Sequence, residues 1–352
     1  DNEQFDTRIE LQHVKLGAFD GVIGTQFGYK NLSAVGEEAF LPKTKTENVA
    51  LFILEETDIT DSVHLDIGGR FDHETNNPNN AAEISNDMFS ISSGLAWDVN
   101  ESTEVGINIG RSQRGPTAAE LFSNGPHVAT GTFEIGVSTL DVETTNSLDF
   151  SFSKTYENWG WNLNLFTNFV EDFVFLEGQD LNNDGAIDEV NEDNSGTGEF
   201  QLLQYNQDDL VMYGFETSFD INLFKGNRGQ LDLNLFGDYV RADLDTKGNL
   251  SRVSPARFGS GLNYNYKKFN TGIDLTNVLA QKDNGNLETD TGGYAVLNMH
   301  ANYNVFSGDQ DVNVFLKLTN ILDEDGRLHT SFIKDRAPIM GRSLMLGFQV
   351  DF

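Results

Sequence analysis

The sequence contains no cysteine. That excludes disulfides, thiolate metal sites and thiol chemistry, and it suits an oxidising compartment. Basic residues are scarce. Lys and Arg number 23 against 55 Asp and Glu, giving a formal charge of −32 over 352 residues. Neutralising phosphates requires clustered cations, so nucleic acid is not an expected partner. No apolar run reaches the roughly 18 residues that a membrane-spanning helix requires. No signal-peptide pattern opens the chain. Helical periodicity is nearly absent; "PTAAELFS" (116–123), opened by a proline, is the one short helix expected. No GxSxG turn, P-loop or dinucleotide fingerprint stands in a strand-to-helix context. Neither an enzymatic activity nor a required cofactor is therefore expected.

What is present is aromatic residues and a period of two. The 27 Phe, 9 Tyr and 3 Trp argue against the disorder that so high a charge can bring. Near the end, Leu344, Leu346, Phe348, Val350 and Phe352 alternate with Ser343, Met345, Gly347, Gln349 and Asp351. Val312, Val314, Leu316 and Leu318 repeat the pattern, as do Leu231, Leu233 and Leu235. Such alternation marks strands with one apolar and one polar face. About fifteen such segments can be drawn along the chain, many of ten or more residues. Ordinary strands average about five or six residues. Tilted strands crossing a bilayer need about nine to eleven plus extensions.

The connections alternate short and long. Short ones include "DVNES", "KGNRG" and "YKKFN"; long ones lie near 33–45, 75–86, 115–140, 178–199, 245–252, 282–291 and 326–336. Short turns on one rim and long loops on the other are the pattern of an outer-membrane barrel. Backbone groups in hydrocarbon must all be paired, so such a sheet must close. The fold class read from these residues is all-β, an antiparallel transmembrane β-barrel, with 1–352 as a single barrel domain. Its surroundings would be outer-membrane lipid and lipopolysaccharide. Trp159, Trp161, Tyr239, Tyr264, Tyr266 and Phe352 fall near strand ends, where an interfacial girdle would sit.

Three stretches resemble the TonB-dependent outer-membrane receptors. They are "RSQRGPTAAELFSNGPHVATGTFEIG" (111–136), "QYNQDDLVMYGFETSFD" (204–220) and the final "NILDEDGRLHTSFIKDRAPIMGRSLMLGFQVDF". The combination of "GPHVATGTFEIG", "LHTSFIKDRAP" and "GRS" is most similar to the branch holding zinc-uptake receptors. The resemblance implies a 22-stranded barrel with a plug, driven by the TonB-ExbB-ExbD complex. Neither plug nor TonB box is recognisable here, so about fifteen strands of that barrel are expected, its C-terminal part. It further implies that the terminal Phe352, with Val350 and Phe348 on the same face, is read by the barrel-assembly machinery. The bare reading of those residues is a lipid-facing strand. The implied function is uptake of a metal ion or chelate by the outer membrane of a Gram-negative bacterium, zinc first and haem or a siderophore next. A passive porin-like channel and a secreted calcium-binding adhesion module are the competing readings.

Two candidate sites remain. In "DLNNDGAID", Asp180, Asn182 and Asp184 occupy positions 1, 3 and 5 of a calcium loop, Gly185 position 6 and Asp188 position 9. Asn191 stands at position 12, where a bidentate Glu is expected, so a solvated acidic loop is the alternative. Of six histidines, none forms an HxH or HExxH pattern, and the histidine-rich loops common in the resembled branch are missing. His127 is the best-placed candidate substrate contact, with Glu120 and Glu134 in the same loop. His329, in "LHTS", is expected to make a structural hydrogen bond.

Overall fold

The alternation is realised as strands throughout. The computed structural model describes residues 2–34, 36, 39–306 and 311–351. Fifteen strands are long: β1 (Asn2–Leu16), β2 (Phe19–Leu32), β3 (Thr44–Thr60), β4 (Val63–Pro78), β5 (Ile84–Asn100), β6 (Thr103–Arg114), β9 (Glu143–Thr155), β10 (Trp159–Gly178), β12 (Phe200–Gly226), β13 (Gly229–Leu244), β15 (Arg257–Tyr266), β16 (Phe269–Val278), β17 (Tyr294–Phe306), β18 (Asp311–Thr319) and β19 (Ser343–Asp351). Four short ones lie within the long connections: β7 (Asn124–His127), β8 (Thr132–Ile135), β11 (Glu189–Val190) and β14 (Gly248–Asn249). Each long strand pairs antiparallel with the next long strand, so the wall is an up-and-down meander. Among the described residues no helix is long and apolar enough to cross a membrane, and none of them forms a plug domain.

Register places most of the apolar residues of the long strands on one face, while Phe52, Phe166, Phe236 and Phe315 turn to the other and cover glycines of neighbouring strands. Leu51 lies opposite Phe71, and Phe71 opposite Phe89. Further along, Leu165 meets Phe215, Phe215 meets Tyr239, and Leu262 meets Ile273. These side chains are exposed: Leu51 is 61% accessible, Phe89 54% and Phe169 53%. A soluble core would hide them. An exposed apolar belt over many strands is instead what a lipid-facing wall presents. The other face is polar. Arg70 forms a bidentate pair with Asp72 (2.7 Å on both arms) and donates to Gln26 at 3.1 Å. Asn234 donates to Asp220 across the β12–β13 pair at 2.8 Å. Aromatic rings gather at the short-turn rim, where Trp159 stacks on Tyr156 and Phe219.

Strand ends follow local chemistry. The strand that carries Val312, Val314, Leu316 and Leu318 stops at Thr319, where Asn320 takes a φ of 47°. Its buried amide nitrogen then donates to the carbonyls of Glu324 and Met340, both at 3.0 Å. β15 begins at Arg257, two residues after Pro255, which has no N–H for the ladder. The short helix α1 spans Ala118–Phe122 and is opened by a Thr117–Glu120 capping box, with Pro116 just outside it.

On one rim the turns are short: 17–18, 61–62, 101–102, 156–158, 227–228 and 267–268. The connections 33–43, 79–83, 115–142, 179–199, 245–256, 279–293 and 320–342 all leave from the opposite rim; the one expected to be long near 75–86 is short, because β4 runs on to Pro78 and β5 begins at Ile84. β12 has 27 residues, far more than the roughly nine to eleven a strand needs to cross hydrocarbon, so its upper part rises into the long loops. There β8 pairs with it in parallel. Phe133, Val190, Phe200 and Leu202 form a small buried cluster between these elements. The loops are thus packed onto the wall.

Candidate functional site

Alternation along β12 builds the base of the loop-side concavity. Phe200 and Leu202 turn into the buried cluster; Gln201 and Leu203, on the opposite side, line a cavity of about 660 Å³. The 179–199 loop forms one wall. Leu176 and Gly178 at the end of β10, Ser251 and Arg252, residues 286–289, and residues 331, 332, 334 and 335 form the remainder.

The structure joins two of the three expected substrate contacts. His127 ends β7 and Glu134 lies in β8, so their hairpin brings them to 2.8 Å, Nδ1 to Oε1. Glu134 is buried. It also accepts from Thr132 Oγ1 at 3.0 Å and from the Tyr205 hydroxyl at 3.3 Å. Phe40 stacks on the imidazole, with centroids 4.6 Å apart. If Nδ1 carries the proton toward Glu134, Nε2 keeps its lone pair for a ligand. Glu120 serves elsewhere. It caps α1 and pairs with Arg114 at 2.8 Å, which also holds Glu143 at 2.8 Å.

The calcium-loop candidates do gather in one turn. Asp180 accepts from the backbone N–H of Asp184 (3.0 Å) and Gly185 (2.9 Å). Asp188 accepts from the Leu181 N–H at 2.6 Å and the Asn182 amide at 2.7 Å. Asn183 (φ 60°) and Gly185 (φ 88°) supply the left-handed backbone that the turn needs. Asn182, Asp184 and Asp188 face the same cavity. Among the described residues no three His, Asp or Glu side chains converge as a ready metal cluster; here the carboxylates turn to backbone donors. Of the assembly-signal residues, Val350 pairs with Val312 and Phe348 with Val314, and Phe348 is 75% exposed. Phe352 lies outside the described residues.

A buried charged cluster ties the loops together, and of its members only His329 stands out in the sequence. Lys334 Nζ donates to Glu288 Oε1 at 2.8 Å and to the Thr289 carbonyl at 2.9 Å. Glu288 also accepts from the N–H of Arg252 (2.9 Å) and Gly285 (3.0 Å). His329, 1% exposed, shares a hydrogen bond with Thr291 at 2.9 Å, and its Nε2 lies 3.1 Å from Glu288. Burial alone would raise the Glu288 carboxyl, but the Lys334 and backbone donors outweigh it and hold it below its ordinary value. Burial lowers His329, against the pull of Glu288. The partners are 46 residues apart at Lys334–Glu288, so no local motif announces them.

A family model for the β-barrel of TonB-dependent receptor-like proteins matches residues 1–321. Solved structures share the fold. The copper transporter OprC superposes with a TM-score of 0.80 at 16% identity, covering 100% of this chain and 56% of its own. The FrpB iron transporter of Neisseria meningitidis (F3-3 variant) gives 0.70 at 14% identity, over 99% and 55%. The siderophore receptor PirA of Acinetobacter baumannii gives 0.67 at 15%, over 99% and 54%. The chain therefore spans just over half the length of these structures.

Proposed function

The chain belongs to the TonB-dependent receptor β-barrel family, and from that premise we propose that it is the barrel wall and outer mouth of a receptor that imports a scarce metal, carried as a chelate. Its location is the bacterial outer membrane, in keeping with the exposed apolar belt. The observation that carries the proposal is the loop-side cavity of about 660 Å³, built over a polar-lined wall; β8, which carries the Glu134 partner of His127, pairs with β12 beside the lining residues Gln201 and Leu203. That volume falls in the range of small-molecule sites. Among the described residues no ready cluster would strip and hold a bare ion. A single imidazole oriented by a carboxylate can complete the shell of a metal already held by a chelator. Zinc, favoured by the sequence resemblance, is the first metal to test; iron and copper, named for the similar structures, come next.

Energy would come from the TonB-ExbB-ExbD complex acting through a plug. Within the described residues β1 and β19 each pair on one side only, and unpaired edges are costly in hydrocarbon; further strands would close the wall in the whole receptor. The test is uptake of each labelled metal, free and chelated, by cells with and without the gene. Uptake lost on deletion and on collapse of the proton motive force supports the receptor. Gene-dependent uptake indifferent to that force would instead make it a passive channel.

A second proposal concerns the 180–188 turn. Three carboxylates and the Asn182 amide already sit in one hydrogen-bonded turn, and a small rotation of Asp184 and Asp188 would exchange backbone donors for calcium. Affinity would be weak, about 10⁻⁴ to 10⁻³ M. Millimolar calcium should then slow proteolysis between residues 180 and 194; equal cleavage with calcium and with chelator would dismiss the idea.

A further inference from the structure

The acids that line the loop-side cavity are mostly engaged. Asp188 takes a backbone N–H and the Asn182 amide. Asp335 accepts from the Thr289 hydroxyl at 2.8 and 2.9 Å. Glu288 takes Lys334 and two backbone N–H groups. Lys334, one of the two cations in the lining, is thereby neutralised.

The other cation has no acid in contact with its guanidinium; Glu288 and Glu134 act on it only from a distance. Arg252 forms no ion pair among the described residues, and its guanidinium makes one long hydrogen bond, Nη2 to the Leu176 carbonyl at 3.5 Å. Its Cζ stands 4.1 Å from the centroid of the Phe332 ring. Arg252 itself sits at φ 60°, a left-handed conformation unusual for a side chain of this size. The backbone there is fixed from outside: its N–H is held by Glu288, and Gly285 packs so closely on Ser251 that a Cβ would approach Ser251 Oγ to 2.1 Å. Arg252 and Phe332 both line the cavity, so the stacked guanidinium stands in its wall with most of its donors outside any hydrogen bond among the described residues. Burial lowers its proton affinity, though an arginine stays charged at any physiological pH.

We propose that Arg252 is the docking point for an anionic group, a carboxylate or comparable oxyanion, on the ligand that enters this cavity. The inference deepens the receptor reading and rests on it, because it names the cargo as an anionic chelate. A guanidinium presents parallel N–H donors that match two oxygens at once. Stacking on Phe332 restricts the side chain before binding, so little is lost on docking. Within a chain of charge −32, an anion needs a local cation with no acid in contact to overcome the general repulsion.

The test is calorimetric titration of the intact receptor in detergent, at low ionic strength, with citrate, phthalate and inorganic phosphate. At least one of these anions should bind. Arg252→Gln should weaken it at least about tenfold, the scale of one charge-assisted hydrogen bond. Arg252→Lys should fall between, retaining charge without the fork. Phe332→Leu, which leaves Arg252 in place, should weaken binding a few-fold and guards against a trivial folding defect. No binding by any of the three anions, or unchanged binding by Arg252→Gln, would overturn the proposal. Energised uptake with a flat titration removes this inference alone. Anion binding without energised uptake keeps the Arg252 site and removes the receptor reading.

Discussion

Replacing Lys334 by Met tests whether the buried cluster locks the loops. Both Lys334 and Glu288 side chains are 6% exposed and 2.8 Å apart. Breaking a buried pair from one side costs about 3–5 kcal/mol, because the remaining charge is stranded. Glu288 would keep its two backbone donors, from Gly285 and Arg252, so the lower end, about 3 kcal/mol, is expected. Amide exchange reports local opening free energies directly. The Gly285, Arg252 and Thr291 amides should exchange somewhat over a hundredfold faster, while strand amides such as those of Leu165 and Phe215 stay unchanged. Adding Glu288→Gln should recover at least half of the loss, since the stranded charge is removed. Exchange equal to that of the unaltered protein would refute the lock. A double variant as loose as the single one would refute the charge-based account.

The cluster also sets a pH dependence. The folded Glu288 carboxyl is depressed, so its contribution is complete above the ordinary carboxylate value and is lost as pH falls through the folded value. His329 is lowered too; its contribution begins to fall once pH drops below the unfolded imidazole value of about 6.5. Both act in one direction, so the protection of the loop amides, corrected for the intrinsic exchange rate at each pH, should fall in acid, and His329→Gln should remove the first stage and leave the second. For the wall, Leu51→Arg should cost about 2–4 kcal/mol for folding into lipid vesicles, the midplane value for a lipid-facing charge. Asn164→Lys, on the polar face, should stay within about 0.5 kcal/mol. Equal penalties at the two positions would contradict the assignment of faces.

The wall was legible because alternation is a local signal. Leu344, Leu346 and Phe348 declare their face without reference to any other strand, and all fifteen long strands were readable in this way. The loops were only partly legible. The His127–Glu134 contact spans seven residues and lay within one recognised segment. Glu120 shared that segment, yet its contacts are set by Arg114 and by the first turn of α1. The short strands β7, β8, β11 and β14 exist because loops pack on the upper part of β12 and β13, which no window of sequence records. Arg252, Glu288 and Lys334 come from three separate loops. Their meeting depends on the close approach of Gly285 to Ser251 and on the left-handed turn at Arg252, and neither has a signature in composition or spacing.

The proposed receptor requires an outer-membrane wall with its long, acidic loops outside the cell. The absence of native cysteine makes single-cysteine labelling the most direct test. Ala186→Cys, in the cavity wall, should react with a membrane-impermeant maleimide on intact cells. Asn227→Cys, in the β12–β13 turn, should react only after the outer membrane is breached. Leu235→Cys, on the lipid face, should resist the aqueous reagent until the protein is denatured. Labelling at Asn227 and not at Ala186 on intact cells, or equal labelling at all three positions, would contradict the account.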